Sequence, residues 1–254
     1  MTHRLWRFLD SGEGTGALNM ALDELLARQM AERGDDPILR LFRWKPWAIS
    51  LGYNQSPADL DEAACRRDGI DIVRRPTGGR AILHAEELTY SVVMRAGRRS
   101  VLQVYNDISA ALVRGLGLFG VEVSLQKSQP SFPDLYRQAS SVPCFTSSAR
   151  YEIEWRGRKL VGSAQRRFGE GSDVVLQHGS LLCGPAHVRL GDYLAVPEGD
   201  VRERVRRDLA EKTVDLSAIT GRAVDGGHLA DCVRRGFELA WGVEFREAGT
   251  PSGA

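Results

Sequence analysis

The sequence predicts an α/β (α+β) fold, in which helices flank a mixed, largely antiparallel sheet. Helical and alternating apolar patterns follow each other irregularly along the chain, and several short strands lie close enough together to form hairpins. No internal repeat or low-complexity tract interrupts them. At 254 residues with 43% hydrophobic content, the chain is long enough to bury a sizeable core. We expect residues 1–254 to form a single domain.

Apolar residues at helical spacing predict a first helix over residues 18–26, with Asp23 and Glu24 on its polar face. A turn-rich segment at 11–16 leads into it, and the glycine, aspartates and proline of 34–37 end it. The same spacing predicts further helices at 59–67, 104–116, 201–209 and 229–237.

Runs rich in β-branched and aromatic residues predict the strands. The clearest pair is a hairpin, 151–155 and 158–162, joined by a turn at Arg156-Gly157. Between the predicted helix 104–116 and this hairpin, the polar, proline-containing segment 126–143 is typical of a functional loop. The other predicted strands are 38–44, 48–51, 70–73, 81–84, 88–94 and 174–182.

Composition gives no support for several classes of function. The 34 basic and 33 acidic residues give a net charge of +1, so charge offers no argument for binding nucleic acid or an anionic membrane. No apolar run approaches the roughly 20 residues of a membrane span. The four cysteines form no CxxC pair and none lies at zinc-ligand spacing from a histidine, so we expect no metal site. We expect a reduced, cytoplasmic protein.

Residues 74–80, hereafter loop 74–80, combine two adjacent arginines, a proline and two glycines directly after a predicted strand. Glycines expose backbone N–H groups, so such a loop can approach a ligand closely and bind a phosphate or carbonyl oxygen. On spacing alone, a hairpin turn with exposed arginines is slightly favoured. No Walker or dinucleotide motif is present to decide between them.

Residues 74–84 (RRPTGGRAILH), followed by 87–91 (ELTYS), resemble the signature of the lipoate-protein ligase A and octanoyltransferase family. The fold of that family is the biotin/lipoate protein ligase fold. Four further segments resemble family landmarks in the same order: NMALDE at 19–24, LGYNQ at 51–55, KLVGSAQR at 159–166 and QHGSLL at 177–182. The chain departs from the pattern at Ala85, where relatives often carry an acidic residue.

The resemblance implies one of two chemistries. A ligase activates a free acid with ATP, whereas a transferase takes an acyl group that is already a thioester. Cys144, at the end of the long polar loop, resembles the nucleophile of the cysteine-dependent transferases, with Lys159 as its catalytic partner. The implied reaction moves octanoyl from acyl carrier protein, through the cysteine, to a lysine of a lipoyl-carrier protein such as glycine cleavage H protein. It needs no cofactor.

The resemblance also implies substrate-binding residues: Arg74, Arg75, Thr77, Gly78, Gly79, Arg80, His84, Gly162, Ser163 and His178. His84 and His178 are equally consistent with satisfying local backbone, and Lys159 alone would be a solvated strand lysine. Three alternatives stay open: an ATP-dependent lipoate ligase, an amidotransferase between carrier proteins, and a silent lipoate- or partner-binding domain. Cys65, Cys183 and Cys232 are interpreted as bystanders in helices or strands.

Overall fold

The structure is a computed structural model that describes residues 4–125, 152–195 and 199–250. Its strands are β1 (Arg4–Gly14), β2 (Ile38–Trp44), β3 (Ala48–Leu51), β4 (Asp71–Arg74), β5 (Ile82–His84), β6 (Glu87–Arg95), β7 (Ser124–Leu125), β8 (Ile153–Trp155), β9 (Arg158–Phe168), β10 (Val174–Leu182) and β11 (Val243–Glu247). Its α-helices are α1 (Gly16–Arg33), α2 (Glu62–Arg67), α3 (Val101–Leu118), α4 (Gly199–Lys212), α5 (Leu216–Thr220) and α6 (Gly226–Trp241). The 3₁₀ helices are Pro57–Asp59, Glu170–Ser172 and Pro185–Tyr193.

Eight strands form the large sheet, in the order β11-β1-β2-β6-β10-β9-β8-β7. β1 runs parallel to β11 and to β2, and the remaining neighbours are antiparallel. A second sheet has the order β4-β3-β5, with β3 parallel to β4 and antiparallel to β5. The predicted class, a mixed and largely antiparallel sheet flanked by helices, is confirmed.

The central strands of the large sheet have apolar side chains on both faces. Val93 and Leu176 pack with α1 on one face, and Val92 and Val175 pack with α3 and α6 on the other. This alternation follows from the two-residue period of a strand. All nine residues of β10 are buried, and the strand ends at the bounds that the sequence predicts. Burial on both faces explains why apolar residues occupy adjacent positions at both ends of β10 and do not alternate with polar ones.

Helices α3 and α6 approach closely because glycines lie at their crossing. A Cβ atom on Gly236 would lie 2.5 Å from the backbone nitrogen of Gly115 and 2.6 Å from the carbonyl oxygen of Ala111. The predicted hairpin is also confirmed: β8 and β9 pair across Arg156 and Gly157, whose φ angles are 50° and 77°. Two consecutive positive φ values are typical of the tight turns that join antiparallel strands.

The prediction that Asp23 lies on the polar face of the first helix is wrong. Asp23 is fully buried, whereas the apolar Leu18 of the same helix is 41% exposed. The reason lies below the helix, where Arg40 of β2 and His178 of β10 supply partners for the carboxylate. A charged residue in a helix can thus belong to the buried face when a distant strand provides its counter-charge.

At two places the structure has a different element from the one that the sequence predicts. Residues 11–14 are not a turn but the end of β1, which continues past a register shift between Asp10 and Glu13. The predicted helix 59–67 is divided, because Asp61 caps α2 by accepting a hydrogen bond from the Ala64 N–H at 3.0 Å. The predicted loop 126–143 lies outside the described residues. Within the part of the chain that is described, no helix is long and apolar enough to cross a bilayer.

Candidate active site

A small, mostly apolar cavity, partly open to solvent, lies where loop 74–80 meets β5, β9 and β10. Three apolar side chains contribute to its wall: Met20, Trp44 and Ile82. The structure brings together five of the residues predicted to bind substrate, namely Arg75, His84, Gly162, Ser163 and His178.

Arg75 holds loop 74–80 in shape. It is 3% exposed. Its Nε and Nη2 donate to the Gly78 carbonyl at 3.1 and 2.9 Å, and Nη2 also donates to the Arg80 carbonyl at 2.6 Å. Its Nη1 donates to the carbonyl and hydroxyl oxygens of Ser50 at 2.9 and 3.0 Å. These contacts engage every N–H donor of the guanidinium, so in this structure Arg75 shapes the cavity wall from within.

Arg74 ties the same loop to the segment after β3. Its Nη1 donates to the carbonyls of Gly52, Tyr53 and Gln55 at 3.1, 2.8 and 2.7 Å. In return, the Tyr53 N–H donates to the Thr77 carbonyl at 2.9 Å. The two arginines that suggested an anion site therefore bind main-chain carbonyls of the protein itself, and the loop is rigidly framed.

Gly52 is required for this frame, because a Cβ atom there would lie 1.9 Å from the Gly79 carbonyl oxygen. We expect Gly52→Ala to displace loop 74–80 and to lower the free energy of unfolding by about 1–3 kcal/mol, measured by urea denaturation. Gly78→Ala is the matched control, since its Cβ would meet nothing within 4 Å. Equal losses in the two variants would contradict a tight contact between Gly52 and the loop.

His178 links the loop to the buried face of α1. Its Nε2 lies 2.6 Å from the hydroxyl of Thr77, which is fully buried, and its Nδ1 lies 2.9 Å from Oδ2 of Asp23. Burial lowers the pKa of His178, so the ring is neutral at neutral pH. With the carboxylate accepting from Nδ1–H, Nε2 accepts from the Thr77 hydroxyl. This chain of hydrogen bonds fixes both the ring and the loop.

Asp23 is the charged centre of that chain. Its Oδ1 accepts from Nη1 of Arg40 and from the Ser91 hydroxyl, both at 2.7 Å. Burial alone raises the pKa of Asp23, but the charge of Arg40 and the hydrogen bonds of His178 and Ser91 outweigh it and hold that pKa below 3.8. Arg40 also donates to the carbonyl and the side-chain oxygen of Asn19, at 3.0 and 2.7 Å.

His84 lies in a second chain of the same kind. Its Nδ1 lies 2.8 Å from Oε1 of Glu87 and its Nε2 lies 2.7 Å from the Ser50 hydroxyl. Burial raises the pKa of Glu87, but His84 and two hydroxyl donors outweigh that effect and hold it below its ordinary value. The indole of Trp44 stacks on the imidazole, with 4.0 Å between ring centroids. Glu87 therefore supplies the acidic partner that Ala85 lacks.

Lys159 is buried on β9, four positions before Ser163, and is not among the residues that line the cavity. Its ammonium donates to the carboxylate of Glu152, and the two side chains are 5% and 3% exposed. Ser163 itself is fixed by Tyr90, whose hydroxyl lies 2.7 Å from Oγ, and by Tyr105, which donates to its carbonyl at 3.2 Å. These contacts hold β9, and with it Ser163 in the cavity wall, in a fixed position.

A family model described as the lipoyl protein ligase A/B catalytic domain matches residues 15–238. The chain belongs to this family. The match includes loop 74–80, Lys159 and the residues hydrogen-bonded in series through His178 and His84. The family resemblance stated from the sequence motifs is confirmed.

Members of the family with similar sequences are named octanoyltransferase LipM. The protein from Geobacillus kaustophilus is 36% identical over 245 residues, which cover 94% of this chain and 87% of that relative. The protein from Bacillus subtilis is 34% identical over 252 residues, covering 96% and 89%. Among solved structures, lipoate-protein ligase A bound with ATP has a TM-score of 0.76 at 21% identity, over 97% of this chain and 90% of that one.

A bipartite lipoate protein ligase from Thermoplasma acidophilum has a TM-score of 0.77 at 22% identity, over 98% of this chain and 89% of that one. At these identities the likeness to solved ligases shows the fold, which is the lipoate ligase fold expected from the motifs. The similar sequences are thus named as transferases and the similar structures as ligases, which are the two chemistries that the motifs left open.

The remaining predicted family residues lie at the rim of the cavity or beyond it. Arg74, Gly78 and Gly79 are exposed, whereas Arg80 is 9% exposed and Thr77 is buried. Cys144, the predicted nucleophile, lies outside the described residues.

The three described thiols have the surroundings of bystanders. Burial raises the pKa of Cys65 to about 11 and that of Cys183 to about 12. Burial also raises the pKa of Cys232, which packs in α6. A thiol is nucleophilic as its thiolate, so these three are poor nucleophiles at neutral pH.

Sequence reasoning missed four polar residues that build the site: Asp23, Arg40, Ser50 and Glu87. Ser50 carried a usable signal, since it is the polar residue of an otherwise apolar strand, whereas Arg40 shares β2 with Arg43. Glu87 and Asp23 belong to the quoted family motifs, but their partners lie in other elements, so no local pattern revealed the pairing.

Proposed function

We propose that this chain is an octanoyltransferase that moves an octanoyl group from acyl carrier protein to a lysine of a lipoyl-carrier protein, through a thioester on Cys144. The observation that carries the proposal is the mostly apolar cavity walled by the family's motif loop, in a chain 34–38% identical to octanoyltransferases over nearly its whole length. An apolar wall with fixed polar groups at one side suits a saturated acyl chain that ends in a reactive carbonyl.

The proposed reaction has two acyl transfers. In the first, the Cys144 thiolate attacks the carrier thioester, and the carrier thiol leaves and takes up a proton. In the second, the amine of the acceptor lysine attacks the acyl-cysteine, loses a proton and releases the cysteine thiol. The first step exchanges one thioester for another and is nearly isoenergetic, whereas the second forms an amide and is downhill. Neither step consumes a nucleotide.

Loop 74–80 supplies groups suited to the negative charge that develops on the acyl oxygen. Arg75 draws the Gly78 carbonyl inward. Among the described residues, none accepts a hydrogen bond from the N–H of Gly78 or Gly79. We assign these two N–H groups as donors to the tetrahedral oxyanion, a role for which rigid placement matters most. Lys159 acts on the protons of the second step, or stabilises the thiolate of the first.

A transfer assay without nucleotide tests the proposal. The chain is incubated with octanoyl-loaded acyl carrier protein and an unmodified lipoyl-carrier protein, and each protein is weighed by intact mass spectrometry. We expect one octanoyl group on the acceptor and, when the acceptor is omitted, one on the enzyme. A parallel reaction contains free octanoate or lipoate with ATP. Acylation in that reaction alone would make the chain a ligase and overturn the proposal.

A further inference from the structure

The Lys159–Glu152 pair is a buried ion pair in a hairpin that does not need one for stability. Ile153, Leu160 and Val161 around it are 2% exposed or less. Taking an ammonium and a carboxylate out of water costs free energy that their attraction only roughly repays, and two apolar side chains of similar volume would pack the hairpin as well. The pair is therefore better explained by what the lysine does than by what it adds to the fold.

We propose that Glu152 is a positioning residue in the transfer reaction: its carboxylate holds the Lys159 side chain in one place. The inference rests on the proposed function, in which Lys159 handles the protons of acyl transfer. Glu152 directly precedes β8, and the paired strand β9 presents Lys159 to it across the hairpin. The reach between the two is thus set by main-chain pairing.

A second carboxylate, Glu154, is the direct cross-strand partner of Lys159. Burial raises the pKa of Glu154, and the negative charge of Glu152 raises it further. The carboxylate that forms the ion pair with the Lys159 ammonium is nevertheless that of Glu152. Glu154 is its neighbour on β8 and offers a control for the pair.

The segment after α4 lies beside Lys159. Val214 donates its N–H to the Lys159 carbonyl at 3.0 Å, and Thr213 forms an isolated bridge with it. Nε2 of His187 lies 2.6 Å from the Thr213 hydroxyl, and burial lowers the pKa of His187, so it is neutral. Two charged residues are among the described neighbours of this segment: Arg158, which donates to the Thr213 carbonyl at 2.8 Å, and Asp215, which caps α5.

Glu152→Gln keeps the shape of the side chain and removes its charge. We expect kcat for transfer to fall by about 10-fold or more, with the KM for the acceptor protein within about 2-fold. A role in folding alone would not lower kcat while leaving KM unchanged.

Three further variants make the test specific. Glu154→Gln alters the neighbouring carboxyl group, which is not the ion-pair partner in the Lys159–Glu152 contact, and should leave kcat within about 2-fold. Glu152→Asp keeps the charge with a shorter reach, so it should lose only part of kcat, and it serves if Glu152→Gln folds poorly. In a Lys159→Gln background, adding Glu152→Gln should change the rate by less than about 2-fold, because a positioning residue acts only through its partner.

The outcomes separate the inference from the proposed function. Nucleotide-free transfer by the wild type together with an unchanged kcat in Glu152→Gln overturns the inference and leaves the proposed function standing. Losses that add independently in the double variant also overturn it. Absence of nucleotide-free transfer in the wild type overturns the proposed function, and with it the role of Glu152.

Discussion

Replacing Asp23 by alanine should lower the free energy of unfolding by about 3–5 kcal/mol, measured by urea or thermal denaturation. The change leaves Arg40, which is 1% exposed, as an uncompensated charge in the core. It also removes the acceptor for the Ser91 hydroxyl and for Nδ1 of His178. Because His178 in turn holds Thr77, we expect loop 74–80 to become less ordered and transfer to slow, beyond the loss of stability.

The neighbouring residue offers a control of the same chemistry in a different environment. Glu24 also pairs with an arginine, Arg28 at 2.6 Å, but the two side chains are 38% and 60% exposed. An exposed pair one turn apart contributes about 0.5 kcal/mol or less, so Glu24→Ala should be nearly neutral. A similar cost for Asp23→Ala and Glu24→Ala would contradict the central role of the buried pair. Combining Asp23→Ala with Arg40→Met should recover part of the loss.

These two adjacent acids show why sequence predicted the elements of the fold better than the site. Strand and helix positions follow from local apolar spacing, which explains the agreement at β2, β3 and β10. Helical spacing predicted the same position for Asp23 and Glu24, on the polar face of the first helix. The difference between them comes from Arg40 and His178, which lie 17 and 155 positions further along the chain. No local pattern contains such partners.

Loop 74–80 illustrates the same limit at the level of chemistry. Its residue types alone were consistent with an exposed hairpin turn, and the ordered family motifs predicted a ligand site; in the structure Arg75 of the loop lines a cavity. They did not indicate that Arg74 and Arg75 would direct their guanidinium groups to main-chain carbonyls, because those carbonyls are brought there by the three-dimensional path of the loop. Arg75 contributes to the cavity wall, and both arginines fix the path of the loop backbone.

Replacing Cys144 by alanine should abolish the octanoyl-enzyme adduct and slow transfer to the acceptor by about 10³-fold or more. The physical reason is that the thiolate attacks a thioester far faster than the acceptor amine does, since most of that amine is protonated at neutral pH. Intact-mass measurement after incubation with octanoyl-loaded carrier, with and without the acceptor, reports both quantities. Among the four cysteines, the three described ones have pKa values raised by burial, which leaves Cys144 as the candidate nucleophile.

Cys183→Ala is the matched control, because it removes a thiol whose pKa burial raises to about 12 and should leave the adduct and the transfer rate near wild type. A Cys144→Ala variant that still gains one octanoyl group would place the nucleophile elsewhere. Loss of the adduct in Cys183→Ala, with folding intact, would place it at the end of β10. Full transfer by Cys144→Ala without any adduct would mean direct attack of the acceptor lysine on the carrier thioester. Lys159 and the loop N–H groups would then remain as the catalytic groups of a single-step transferase.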